Sequence, residues 1–289
     1  MDLGAYARVA LTAVEQRALY LRDVDWPSLR NSTLTAAAEA GSVERVHDLL
    51  RDAVQQVGGP HSRLLAPGAV PPFDAATQEL PTARAVGDVG VLTLPSCRGI
   101  TKAARAYARA GARALHAMPS VRAWVVDLRA NRGGSMWPML AVAAPLLGGD
   151  GTLGSFTTRD GKRIRWWLRR GWVGAGWHPS ARSKGPRRLP GPVAVLTGAD
   201  TASSGEAVAV AFRGLRHVRT YGSPTHGFPT ANDVVRLPDG ALLLITTATM
   251  ADRHGVVHDG PLPPDIRVEA PDDPLTAALA DLAQQSARE

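Results

Sequence analysis

Cysteine is almost missing from this sequence: its 289 residues hold one, Cys97. A lone thiol excludes an intramolecular disulfide framework and points to a reducing compartment. Long hydrophobic runs are missing as well. No segment approaches ~20 uninterrupted apolar residues, the length that crosses a bilayer as a helix. The opening stretch "MDLGAYARVALTAVEQRAL" has an acid at its second position and no basic cluster. No apolar run and no small-residue cleavage pattern follow it, so no secretory signal is expected. These absences set the expectation of a cytoplasmic chain with no membrane partner.

What is present describes a globular protein. Hydrophobic residues make up 45% and charged residues 20%, a balance that supports a packed core rather than disorder. The length suits one large domain or two small ones. The formal net charge is +7, and much of the excess lies in "GKRIRWWLRRGWVGAGWHPSARSKGPRRLPG", residues 161 to 191. That segment carries four of the seven tryptophans. Its partial alternation fits a strand or hairpin with Trp packed inward and Arg outward. It also fits a substrate platform, in which aromatic faces hold an extended peptide and arginines attract a carboxylate terminus or acidic side chains. No nucleic-acid-binding motif accompanies the charge, so no nucleic-acid partner is expected.

Residues 1 to about 57 have helical periodicity, with "DWP" and Ser42 as helix starts and Gly58-Gly59 as a stop. Residues 60 to 88 are proline-rich and loop-like. From residue 89 strands alternate with helices: "VGVLTL", then an Ala-rich helix over 101 to 118, "RAWVVDL", the helix "MWPMLAVAAPLL", "GPVAVLTG", the helix "EAVAVAFRGL" and "VRTYGSPT". A hairpin turns at Pro238-Asp239-Gly240, a tail strand lies in "GPLPPDIRVE", and "DPLTAALADLAQQSA" closes the chain as a helix. The pattern predicts a helical N-terminal domain over residues 1–66 and an α/β core over residues 67–289.

Two loops at strand ends carry candidate chemistry. In "ADTASSGEAVAVAF", Ser203 and Glu206 have capping-box spacing, which explains both residues without catalysis. The same geometry exposes the Ser203 hydroxyl beside helix N–H groups and the positive end of a helix dipole, the setting of a serine nucleophile. In "DLRANRGG", Gly133 and Gly134 allow a close backbone approach and offer N–H groups, and Asp127 and Arg129 suit an ion pair that fixes the loop. A serine nucleophile needs a base. His61 in "VGGPHSRLL" and His226 in "SPTHGFPT" both stand in glycine-containing turns, and spacing alone does not choose between them.

Read together, "GGPHS", "VVDLRANRGG", "TASSGEAVA", "GSPTHG" and "GPLPPDI" resemble the C-terminal-processing (tail-specific) serine peptidases, in particular the branch of the tricorn protease core and the interphotoreceptor retinoid-binding modules. The resemblance runs from about residue 45 to 268. It implies a ClpP/crotonase-like α/β core of repeated ββα units behind a small helical domain. It implies Ser203 as nucleophile and the N–H groups of Ser204 and of Gly133 or Gly134 as oxyanion donors. Glu206, Asp127, Arg129, Asn131 and Thr225 fall in its supporting positions. The tail-specific branch has a lysine base where this chain has Phe228, whereas the tricorn-like branch has a histidine that matches His61, oriented by an acid for which Asp259 is the nearest candidate. His226 remains the alternative base. The resemblance implies a peptide or protein substrate, no metal and no cofactor. Residues 62 to 88 are too few for a PDZ-like insertion. The competing reading is an inactive module of the same fold that binds a hydrophobic ligand or peptide.

Overall fold

The computed structural model describes residues 2–286, except 71–73, 75, 99–101 and 190. In chain order the elements are α1 Leu3–Arg17, α2 Trp26–Ala38, α3 Val43–Gly58, β1 Arg63–Leu65, β2 Thr82–Val86, β3 Val89–Thr93, α4 Lys102–His116, β4 Ala123–Asp127, α5 Met136–Ala143 and β5 Gly151–Thr158. There follow β6 Arg163–Arg169, β7 Trp172–Ala175, β8 His178–Arg182, β9 Val193–Thr197, α6 Ser204–Phe212, β10 Val218–Gly222, β11 Thr230–Arg236, β12 Leu242–Asp252, β13 Val257–His258, β14 Ile266–Arg267 and α7 Pro274–Ser286. Thr101, the expected first residue of the Ala-rich helix, lies outside the described residues, as does Ala287 at the expected end of the closing one.

The chain forms two compact units. The first comprises residues 1–72, 157–162 and 230–249. Its helices start where side-chain oxygens accept otherwise unpaired N–H groups: Asp2 from Ala5, Asp25 from Ser28 and Ser42 from Arg45. Their apolar faces, with Leu11, Val14, Leu50 and Val57, close on Leu64, Leu243 and Ile245. The last two come from β12, which pairs antiparallel with β1 and with β11. This pairing corrects the boundary expected at residues 66 and 67. Arg63–Leu65 lies against Leu242–Leu244, so a hairpin from late in the chain belongs with the N-terminal helices. The stretch read as loop holds two strands, β1 against β12 and β2 against β3.

A polar trio locks that hairpin. The Tyr6 hydroxyl lies 2.9 Å from both His47 Nε2 and Asp239 Oδ1, and His47 Nε2 lies 2.8 Å from Asp239 Oδ2. Asp239 also accepts the Ala241 N–H at 3.0 Å. Burial opposes the Asp239 charge, yet the hydrogen bonds from Ala241, Tyr6 and His47 outweigh it and hold the carboxyl below its ordinary range.

The second unit comprises residues 73–156, 163–229 and 250–289. Its main sheet has the order β14-β10-β9-β4-β3-β2. The strands β3, β4, β9, β10 and β14 run parallel, and β2 is an antiparallel edge. β4 and β9 are buried on both faces, as central parallel strands are. Alternate residues serve two cores: Trp124, Val126, Val193 and Val195 pack with the helices α4 to α6, while Ala123, Val125, Ala194 and Leu196 pack with Ala278 and Leu282 of α7. The strands β6, β7 and β8 form an antiparallel meander. Here Trp166, Leu168 and Val173 are buried in the main core, and Arg163, Arg165 and Arg169 face outward. The basic, Trp-rich segment is thus a set of strands with Trp166 inward, as one of its two readings expected.

Asp239 yields a pH prediction. Its depressed folded value means that its contribution is complete above the ordinary carboxylate value of ~3.9 and is lost as pH falls through the folded value. Asp239→Asn is expected to lower stability by about 1–3 kcal/mol near neutrality. The gap between variant and parent, measured as urea midpoints down a pH series, closes in acid. A gap that stays constant across the series contradicts this assignment.

Candidate active site

The site in the second unit follows from the pairing of two central strands. β4 and β9 are parallel neighbours, with Asp127 opposite Leu196. The loops leaving their C-terminal ends therefore emerge side by side, where parallel sheets place their chemistry. Three hydrogen bonds stitch them: Leu128 N–H to Leu196 O at 3.0 Å, Thr201 Oγ1 to Leu128 O at 2.9 Å, and Ala202 N–H to Asn131 O at 2.9 Å. Asn131 is fully buried. Its amide donates to Leu94 O at 2.9 Å, and its Oδ1 accepts the Gly133 N–H at 3.0 Å. A Cβ on Gly205 would stand 2.5 Å from Asn131 O, so the start of α6 can approach the loop because residue 205 has no side chain.

Ser203 precedes α6 at φ 52°, ψ −113°. Among the described non-glycine residues, only Arg170 shares a positive φ. Such a conformation costs on the order of 1–3 kcal/mol and persists where its surroundings over-determine it. An ordinary N-cap is extended, so capping alone does not account for this geometry. Half of the expected capping box is strong: Glu206 accepts the Ser203 N–H at 2.6 Å. The other half is present as well, with the Ser203 side chain at the Glu206 backbone N–H in a looser geometry than a regular capping hydrogen bond, and Ser203 is half-buried.

Glu206 does more than cap. It is fully buried and accepts the Thr225 hydroxyl at 2.6 Å, the Gly227 N–H at 2.9 Å and the Phe228 N–H at 2.9 Å. Burial pushes its carboxyl above the ordinary value, against the lowering effect of these bonds and the one from Ser203. One carboxylate thus joins the serine turn to the turn at Thr225–Phe228. Thr225 Oγ1 in its turn accepts the Leu262 N–H at 2.8 Å.

The glycine pair divides its labour. The Gly133 N–H is taken by Asn131 Oδ1. Ser135 N–H donates to Cys97 O at 2.7 Å and Cys97 N–H to Gly133 O at 3.2 Å, so a short strand-like bridge flanks Gly134. Gly134 has φ +109°, and a Cβ there would lie 2.1 Å from Cys97 O. Ser204 Oγ donates to Gly134 O at 2.6 Å and holds the Gly134–Ser135 peptide, while the Cys97 N–H on Gly133 O holds the Gly133–Gly134 peptide that carries the Gly134 N–H. Among the described residues the N–H groups of Gly134 and Ser204 donate to no protein acceptor. Sequence reasoning left Gly133 and Gly134 equivalent, and it missed the Ser204 hydroxyl and the part played by the Cys97 backbone. No local signal marks either, because both depend on the approach of separate loops.

The other candidates fall as follows. Asp127 and Arg129 form the expected pair, with Arg129 Nη2 2.7 Å from Asp127 Oδ2 and Nη1 3.0 Å from Asp273 Oδ1. The hydrogen bond to Asp127 raises the Arg129 guanidinium above its ordinary value. His226 is exposed. Its Nδ1 lies 3.3 Å from Ala199 O, and its ring meets Phe228 edge-on at 4.4 Å. Asp259 is exposed. His61 belongs to the first unit. Its Nδ1 lies 2.7 Å from Thr230 Oγ1, and its carbonyl accepts from Asn232 Nδ2 at 3.2 Å. Asn232 is tied to Thr246, and Thr246 to Ser62. Thr230 was missed in the sequence, where a threonine 169 positions away carries no mark of contact with His61.

Glu206→Gln tests the keystone role of this carboxylate. The substitution puts an amide N–H₂ among groups that all donate, and at least one of them loses its acceptor. A loss of about 1–3 kcal/mol in stability is expected, read from urea melts at neutral pH. A variant as stable as the parent refutes it.

Residues 88–268 match the family model "Peptidase family S41". The chain is 30% identical over 263 residues to the nisin-resistance protein of Lactococcus lactis subsp. lactis, covering 91% of this chain and 82% of that protein. Among solved structures, a lipoprotein from Streptococcus agalactiae superposes with a TM-score of 0.81 at 26% identity, covering 99% of this chain and 97% of the other. The photosystem II D1 C-terminal processing protease superposes at 0.61 with 15% identity, over 93% and 94% of the two chains, a likeness of fold. The family match takes in both stitched loops and the Ser203 turn, and the chain belongs to peptidase family S41.

Proposed function

We propose that this chain is a serine peptidase on a ClpP/crotonase-like core, with Ser203 as nucleophile and His61 as general base. The observation that carries the reading is the Ser203 backbone, held at φ 52° beside two N–H groups, of Ser204 and Gly134, that have no protein acceptor among the described residues. Strain at a half-buried serine beside two such donors is what an oxyanion site requires.

In the proposed reaction Ser203 Oγ attacks the peptide carbonyl as His61 Nε2 takes the hydroxyl proton. The carbonyl oxygen becomes an oxyanion on the N–H groups of Ser204 and Gly134. The C–N bond breaks, His61 returns its proton to the leaving amine, and water, activated in the same way, hydrolyses the acyl-enzyme. Nδ1 of His61 donates to Thr230 in this scheme, which leaves Nε2 unprotonated for its work. A neutral hydroxyl thereby takes the orienting place for which Asp259 was the sequence candidate. Gly134, not Gly133, is the second donor, because Asn131 already holds the Gly133 N–H. The substrate is a peptide or protein. Nisin, after the name of the Lactococcus lactis relative, belongs in the first substrate panel.

Labelling with a fluorophosphonate probe tests the assignment without a known substrate. The parent is expected to label, and Ser203→Ala to abolish labelling. His61→Ala is expected to slow it ~10³-fold or more, Thr230→Val ~10-fold, and His226→Ala or Asp259→Asn little. A parent that does not label leaves this fold as a binding module, and loss of labelling in His226→Ala but not His61→Ala transfers the base to His226. A second expectation concerns Gly134→Ala. Its Cβ overlaps Cys97 O, so the donor moves and labelling falls ~10²-fold or more.

A further inference from the structure

The second unit has a basic cavity that the proposed chemistry leaves unused. Its volume is about 680 Å³, within the range of ligand pockets. Arg105 and Arg109, four residues apart on one face of α4, form one wall, and Arg182 and Lys184, at the end of β8 and just beyond, form another. Among the described residues no Asp or Glu lines it, and none of these four cations enters an ion pair. Trp137 and Trp172 supply flat apolar surface. Trp172 is 40% exposed, and the Arg182 guanidinium carbon stands 5.7 Å from its ring centroid. Four like charges around one hollow repel each other, and an anionic occupant relieves that cost.

The cavity also has a definite neighbour. Ser135 lines it and directly follows Gly134 in the chain. We infer that this cavity is the substrate-specificity site of the peptidase and takes Asp and Glu side chains of a bound peptide. The inference rests on the proposed function, since it treats Gly134 as the oxyanion donor from which the substrate chain runs on past Ser135. Arginine forks pair with carboxylates in two-pronged fashion. The tryptophan faces bind the apolar parts of the same residues. Trp166, buried in the core, holds the meander; Trp172 and Arg182, paired across β7 and β8, face the ligand.

The test is binding to the whole Ser203→Ala chain, which does not turn its ligand over. Calorimetry compares acetyl-Ala-Leu-Ala-Glu-Glu-amide against acetyl-Ala-Leu-Ala-Gln-Gln-amide, which differ only in the two side-chain carboxylates. The acidic peptide is expected to bind ~10-fold tighter or more, and the difference is expected to shrink at high salt. In Arg105→Gln/Arg109→Gln the preference is expected to fall to within ~2-fold, and in Arg182→Gln to weaken in the same direction. The second variant keeps the test open if the first does not fold. Equal affinity for the two peptides overturns the inference, as does a preference untouched by both folded variants. A short oligothymidylate that outcompetes the acidic peptide overturns it in favour of nucleic acid. Acid-selective binding together with a parent that fails to label at Ser203 retains the cavity and removes the peptidase. Labelling without acid selectivity does the reverse.

Discussion

Glu206 is a carboxylate buried in the first turn of a helix, and the site in the second unit is arranged around making that burial tolerable. Four groups bring donors to it: the backbone N–H of Ser203, the hydroxyl of Thr225 and the backbone N–H groups of Gly227 and Phe228. A buried charge without such partners is costly. Meeting its demand draws the turn before α6 and the turn at residues 225–228 to one point. The Ser203 N–H aims inward at Glu206, and the serine backbone takes a conformation that no isolated cap would choose. The strain at Ser203 and the satisfaction of Glu206 are two sides of one arrangement.

That arrangement needs a rigid partner on its other side, which the sheet supplies. β4 and β9 are buried on both faces and lie in fixed register, so the loops that leave them cannot drift apart. Asn131 converts this proximity into specific bonds. It spends its side chain on Leu94 and Gly133 and its backbone carbonyl on Ala202. Gly134 is then confined between Cys97 on one side and the Ser204 hydroxyl on the other. Among the described residues the N–H groups of Gly134 and Ser204 have no protein acceptor there, which supports the proposed oxyanion site.

The first unit has its own logic. Helices α1 to α3 bury their apolar faces against a hairpin contributed by residues 230–249, and Tyr6, His47 and Asp239 hold its tip. The same hairpin carries Thr230 and Asn232, the partners of His61. A histidine read as following the last N-terminal helix is thus oriented by a strand from the far end of the sequence. This explains both why its position was legible and why its partner was not.

Local patterns in the sequence were enough for elements whose physics is local. Capping residues marked α2 and α3, apolar runs marked β3, β4 and β9, and the turn at Pro238–Gly240 marked the hairpin of β11 and β12. The loops after β4 and β9, with Ser203, Glu206, Gly133 and Gly134, stood out because glycines and a serine–glutamate spacing are local signals. Whatever depends on two distant segments meeting was beyond reach. The strand β1 has three residues and exists because β12 pairs with it. The proposed choice of Gly134 over Gly133 rests on Asn131 capturing one N–H and Cys97 framing the other residue. Thr230 on His61, and the Arg105, Arg109 and Arg182 cavity, come from side chains far apart in sequence. Periodicity and turn chemistry act over a few residues and can be read along the chain. Hydrogen-bond partners and charge clusters are decided by register between strands and by packing between helices, and only the tertiary structure contains those.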